Sequence, residues 1–170
     1  MKRFILVLAV LAFVASTAIA QQATPITRTV LGVTLGVTSQ SQAKEILSRT
    51  AKDIKDVKLE QPRFKQITAK GLSYGGVNSD LVQLEFLDDK LYSVSIIMLN
   101  LSGAEHVKNL LERKYPNFFS TDSGIAADDE KTTMGISFFY DKFKEFSYAI
   151  TLYMDKELYH IASELELQDI

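Results

Sequence analysis

Two stretches of apolar–polar alternation, at 82–98 and 136–154, constrain the fold of this chain more than anything else in it. In the first, Val82, Leu84 and Phe86 alternate with Gln83 and Glu85. After the turn Asp88-Asp89-Lys90, Tyr92, Val94, Ile96 and Met98 alternate with Ser93, Ser95 and Ile97. Successive side chains of a strand point to opposite faces, so period two around an acidic turn predicts a β-hairpin with one apolar face. In the second stretch, Ile136, Phe138 and Tyr140 lead through a turn at 141–145 into Phe146, Tyr148, Ile150, Leu152 and Met154. Two ribbons of this kind need something apolar to cover them.

Amphipathic helices supply that cover. Ser39-x-x-Gln42 reads as a capping box, followed by Ala43, Ile46, Leu47 and Thr50 on one helical face. Ser102-Gly103-Ala104-Glu105 reads as a second box, opening a helix with Ala104, Val107, Leu110 and Leu111 inward and stopped by Tyr115-Pro116. Leu158, Ile161, Ala162 and Leu165 predict a final helix begun near Asp155. Between these, 57–72 predicts two strands separated by Pro62, 72–78 a Gly-rich loop, and 121–133 a long polar loop.

Shifted forward by 54 residues, the first hairpin falls on the second without a gap, Leu84 on Phe138 and Tyr92-Ser93-Val94 on Phe146-Ser147-Tyr148. Each is preceded by a capped helix with a paired aliphatic centre, Ile46-Leu47 or Leu110-Leu111. Self-similarity of this order marks repeated supersecondary units. The expected class is therefore α+β, a tandem helix-plus-antiparallel-sheet repeat with its helices packed on one face of the sheet. Residues 21–99 would form the first repeat, and 100–170 the second with a C-terminal helix.

The turn Gly36-Val37-Thr38 opening a helix, followed by a strand meander, resembles the small outer-membrane assembly lipoproteins of the BamE-like (SmpA/OmlA) type. Two such units in tandem resemble the architecture of the β-lactamase inhibitory protein. What the resemblance implies is a fold, without a partner or functional residues. The chain departs from both: it has no cysteine, so neither a lipidated cysteine nor a disulfide is available.

The N-terminus carries an address. Met1-Lys2-Arg3, the apolar run Phe4–Ala15 and the small residues up to Ala20 follow the pattern of a secretory signal, cleaved between Ala20 and Gln21. The run is interrupted by Ser16 and Thr17 and is shorter than the roughly 20 apolar residues a membrane span requires. With 1–20 removed, the mature chain of 150 residues carries a formal charge of −4. That balance disfavours nucleic acid, which needs clustered Lys and Arg. A periplasmic or secreted bacterial protein, with no stable membrane anchor after cleavage, is expected.

Little in the sequence points to catalysis. Without cysteine there is no thiol nucleophile or thiolate metal site, and no phosphate-cradling loop or serine elbow occurs. His106 and His160 lack partners at metal-ligand spacing and read as surface residues; Asp128-Asp129-Glu130 lacks the spacing of a calcium loop. No cofactor is expected. The stronger candidate is a surface: if the apolar series faces the helices, the other face bears Gln83, Glu85, Ser93, Ser95 and Ile97, then Ser137, Phe139, Ser147, Ala149, Thr151 and Tyr153. Aromatics among small polar neighbours suit protein recognition, and the same face reads equally well as ordinary solvated sheet. The expected binding residues are Tyr74, Gln83, Glu85, Ile97, Phe139, Thr151 and Tyr153, contacting another envelope or extracellular protein without enzymatic activity. Two alternatives stand beside this: a small-ligand or lipid carrier with a pocket between sheet and helices, and a hydrolase using paired carboxylates.

Overall fold

The computed structural model describes residues 24–142 and 145–168, so the expected signal segment 1–20 lies outside the described residues. The chain is mixed α+β: three helices among the described residues accompany a large antiparallel sheet. In chain order the elements are β1 (Thr29–Val30), β2 (Val33–Thr34), α1 (Gln40–Leu47), β3 (Asp53–Val57), β4 (Phe64–Lys70), β5 (Ser73–Tyr74), β6 (Val77–Asn78), β7 (Leu81–Leu87) and β8 (Lys90–Met98). They continue with α2 (Leu101–Lys114), β9 (Phe119–Thr121), β10 (Gly124–Asp128), β11 (Thr132–Asp141), β12 (Phe146–Asp155) and α3 (Lys156–Gln168).

The eight-stranded sheet runs β3-β4-β7-β8-β12-β11-β10-β9. Each half is an antiparallel meander, and the two meet where β8 pairs with β12, placing Ile97 opposite Ile150 and Val94 opposite Tyr153. Both alternating stretches are hairpins, β7–β8 and β11–β12. The β7–β8 turn holds Asp88 and Asp89 at φ of 47° and 63°, a left-handed pair that Asp tolerates and that matches the twist of the strands.

One face of the sheet carries the main core. Val82, Leu84, Phe86, Val94, Ile96, Met134 and Ile136 lie there beneath Ala43 and Leu47 of α1 and Ala104, Val107 and Leu111 of α2. The predicted capping box of α1 forms: Ser39 Oγ accepts from the Gln42 N–H at 3.3 Å, and the Ser39 N–H donates to Gln42 Oε1 at 2.9 Å. In α2 the cap lies two residues earlier than expected. Asn100 Oδ1 accepts from the Gly103 N–H at 3.1 Å, so Ser102 is inside the helix.

Helices do not all pack on one face, contrary to the expectation. α3 covers the opposite side, where Leu158, Ala162 and Leu165 meet Phe64, Leu87 and Tyr92. A bulge explains Tyr92. The β7–β8 register shifts between Glu85 and Phe86, pairing Phe86 with Leu91 and Glu85 with Ser93. Tyr92 is the extra residue, and Leu91 takes the place expected for it in the main core.

The stretch 121–133 is also not a simple loop. Gly124–Asp128 is a strand paired with β11, with Ile125 and Ala127 buried. Its small residues gave no alternation to read. Gly124 is required there, since a Cβ would fall 1.9 Å from the Ile136 carbonyl oxygen.

The N-terminal segment is tied down by Arg28. Its guanidinium donates to the Leu35 carbonyl at 3.0 Å and the Lys131 carbonyl at 3.2 Å, and pairs with Asp155. Asp155 also caps α3, its Oδ1 accepting from the Leu158 N–H at 3.0 Å. Gly36 completes this corner at φ 75°, where a Cβ would lie 2.8 Å from both the Arg28 and Asp155 side chains. The Gly36-Val37-Thr38 turn is thus built by packing, with Thr38 Oγ1 accepting from the Thr34 N–H at 2.8 Å.

Candidate binding surface

Register fixes which residues share a face. On β12, Ala149, Thr151 and Tyr153 lie opposite Phe138, Ile136 and Met134, all on the helix-covered side. Tyr148, Ile150 and Leu152 lie opposite Phe139, Ser137 and Gly135, on the other side. This reverses the expected faces of β12. The cause is one residue: Leu84 pairs with Val94, whereas Phe138 pairs with Ala149, so the second strands correspond at an offset of 55 and not 54. An odd slip in a period-two pattern exchanges every side chain between faces.

Of the seven expected binding residues, four are on the face away from α1 and α2. Gln83, Glu85 and Ile97 occupy the first half, with the Gln83 amide donating to Glu85 Oε1 at 2.8 Å; Phe139 occupies the second half. The other three are not. Thr151 is fully buried in the core, its hydroxyl without a hydrogen-bond partner among the described residues. Tyr153 is 1% exposed, and its hydroxyl bonds that of Tyr74. Tyr74 sits on the small β5–β6 hairpin packed against the same core, so it does not extend the open face.

α3 covers the open face near Phe64, Leu87 and Tyr92. Beyond it, a groove of about 290 Å³ runs across β8, β12, β11 and β10. Its floor is small: Ser95, Ala126, Gly135 and Ser137, with Ile150 and Leu152 supplying apolar wall and Phe139 one side. Phe139 is 40% exposed and stacks on Tyr148 with ring centroids 5.3 Å apart; Phe146 lies 5.6 Å from the same Tyr148. Alternation alone assigns Ile150 and Leu152 to the core, and only strand register places them on the other face.

Asp129 and Asp88 are engaged structurally. Burial works against the charge of Asp129, yet backbone N–H groups of Lys131, Ile26 and Thr132, at 2.7–2.9 Å, outweigh it and hold this carboxyl below its ordinary range. Asp88 is held low by its bond to Arg63. His106 and His160 are both exposed, and no cluster of three metal-ligating side chains occurs among the described residues. Burial, the largest influence, raises both tyrosine hydroxyls at the Tyr74–Tyr153 contact; their shared bond raises Tyr153 further and lowers Tyr74.

No helix among the described residues is long and apolar enough to cross a membrane. Compared with known protein families, curated proteins and solved structures, the chain matches none.

Proposed function

We propose that this chain is an exported, non-enzymatic protein-binding module built of two consecutive helix-plus-meander units, 21–99 and 100–170, released by cleavage after Ala20. Its partner is another envelope or extracellular protein. The docking area is the uncovered sheet face of the second half, centred on Phe139, Ile150 and Leu152, with Ile97, Gln83 and Glu85 flanking it across β8 and β7. Thr151, Tyr153 and Tyr74 have no part in it.

The observation that carries this reading is the groove beside Phe139, in which a rigid exposed aromatic borders a floor of Gly, Ala and Ser. Such a floor lets a partner's side chains approach the backbone, while the aromatic supplies area at small entropic cost. The test is capture from envelope extract with the mature chain as bait. A protein retained by the wild type is expected to be lost with Phe139→Ala and Leu152→Ser and kept with Tyr74→Phe. Equal capture by all four baits would refute the assignment.

A further inference from the structure

A second concave site lies on the opposite side of the molecule, at the seam between β1–β2, α2 and the β5–β6 hairpin. It encloses about 270 Å³. Val30, Leu31, Leu110 and Leu111 form apolar walls, Tyr74 lines it, and the exposed Lys114 completes the lining. At a share of roughly 30 Å³ per water-sized group, the space takes a body of roughly ten heavy atoms.

Its polar end has an unassigned proton. In the Tyr74–Tyr153 contact one hydroxyl donates and the other accepts. Either hydroxyl could be the donor; Tyr153 is the more buried of the two, at 1% exposed, and in the arrangement where it donates, Tyr74 accepts. The Tyr74 O–H then has no protein acceptor among the described residues, although it stands at the pocket. Tyr74 is half-buried, and a ligand oxygen in the pocket would accept from this O–H in place of solvent. The Lys114 ammonium, 5.1 Å from the Tyr115 ring centroid, adds a positive charge to the pocket's lining.

We infer that this pocket binds a small aliphatic monocarboxylate, its carboxylate accepting from Tyr74 and facing Lys114 while its chain lies along Leu110 and Leu111. This site is independent of the sheet face and of any partner there. Octanoate matches the size and charge, and 1-octanol is its uncharged counterpart. Titration of the mature chain, followed by backbone amide shifts in NMR, is expected to show saturable octanoate shifts at Tyr74, Leu110 and Leu111. Leu110→Trp, which fills the space from a partly exposed position, is expected to abolish them. Tyr74→Phe and Lys114→Ala should each weaken binding about tenfold, as should replacing octanoate by octanol, the scale of one charge-assisted hydrogen bond. Absence of saturable shifts at these residues, shifts centred on Ile150 and Leu152, or equal affinity for octanoate and octanol would each overturn the proposal.

Discussion

At the scale of single residues, Thr151 and Asp129 show how much depends on what each polar atom faces. Thr151 Oγ1 is buried among apolar neighbours, without a hydrogen-bond partner among the described residues. A desolvated hydroxyl that bonds nothing costs about 1 kcal/mol or more. Thr151→Val is therefore expected to leave stability unchanged or raise it by up to about 1 kcal/mol, measured by urea unfolding. A clear loss would show that the hydroxyl faces a partner or solvent. Asp129 is the opposite case, a carboxylate whose three backbone donors fasten the 129–132 turn and the Ile26 segment. Its folded pKa is lowered, so its contribution is fully present above the unfolded value near 4 and is lost as pH falls through the folded value. Asp129→Asn should lower stability at pH 7 and flatten the decline below pH ~4 in parallel unfolding titrations. The residue types were legible from sequence; their partners, such as Asp155 for Arg28 across 127 positions, were not.

At the scale of elements, the sequence revealed which segments form hairpins and helices better than where their edges and faces lie. Period-two alternation marked β7–β8 and β11–β12, and the α1 capping box formed as spaced. For α2 the cap is Asn100 and not the expected Ser102. Asn100→Ala is expected to cost about 1 kcal/mol, whereas Ser102→Ala should change stability by a few tenths at most, checked by thermal unfolding of both variants. The reverse order would move the helix start to where the sequence placed it. The bulge at Tyr92 left no trace in the pattern, since an added residue and an ungapped alternation look alike until strand register is known. That single residue moved Tyr92 beneath α3 and undid the alignment of the two hairpins.

At the scale of the whole molecule, two meanders share one sheet through β8 and β12, and α1 with α2 cover one side while α3 covers part of the other. The existence of a partly uncovered face followed from alternation; its composition on β12 did not, because face assignment inverts with a one-residue slip. Ile150 and Leu152, at the centre of the proposed docking area, lie on that inverted strand. The absence of cysteine allows a direct test. Single-cysteine variants Phe139→Cys, Ile150→Cys and Leu152→Cys can be labelled with a maleimide in the purified mature chain and again in envelope extract, beside Val37→Cys at an exposed site away from the groove. Docking on the uncovered face predicts labelling of all four in the purified chain and slowed labelling at 139, 150 and 152 alone in extract. Unchanged rates at those three positions, or protection of Val37→Cys to the same degree, would contradict it.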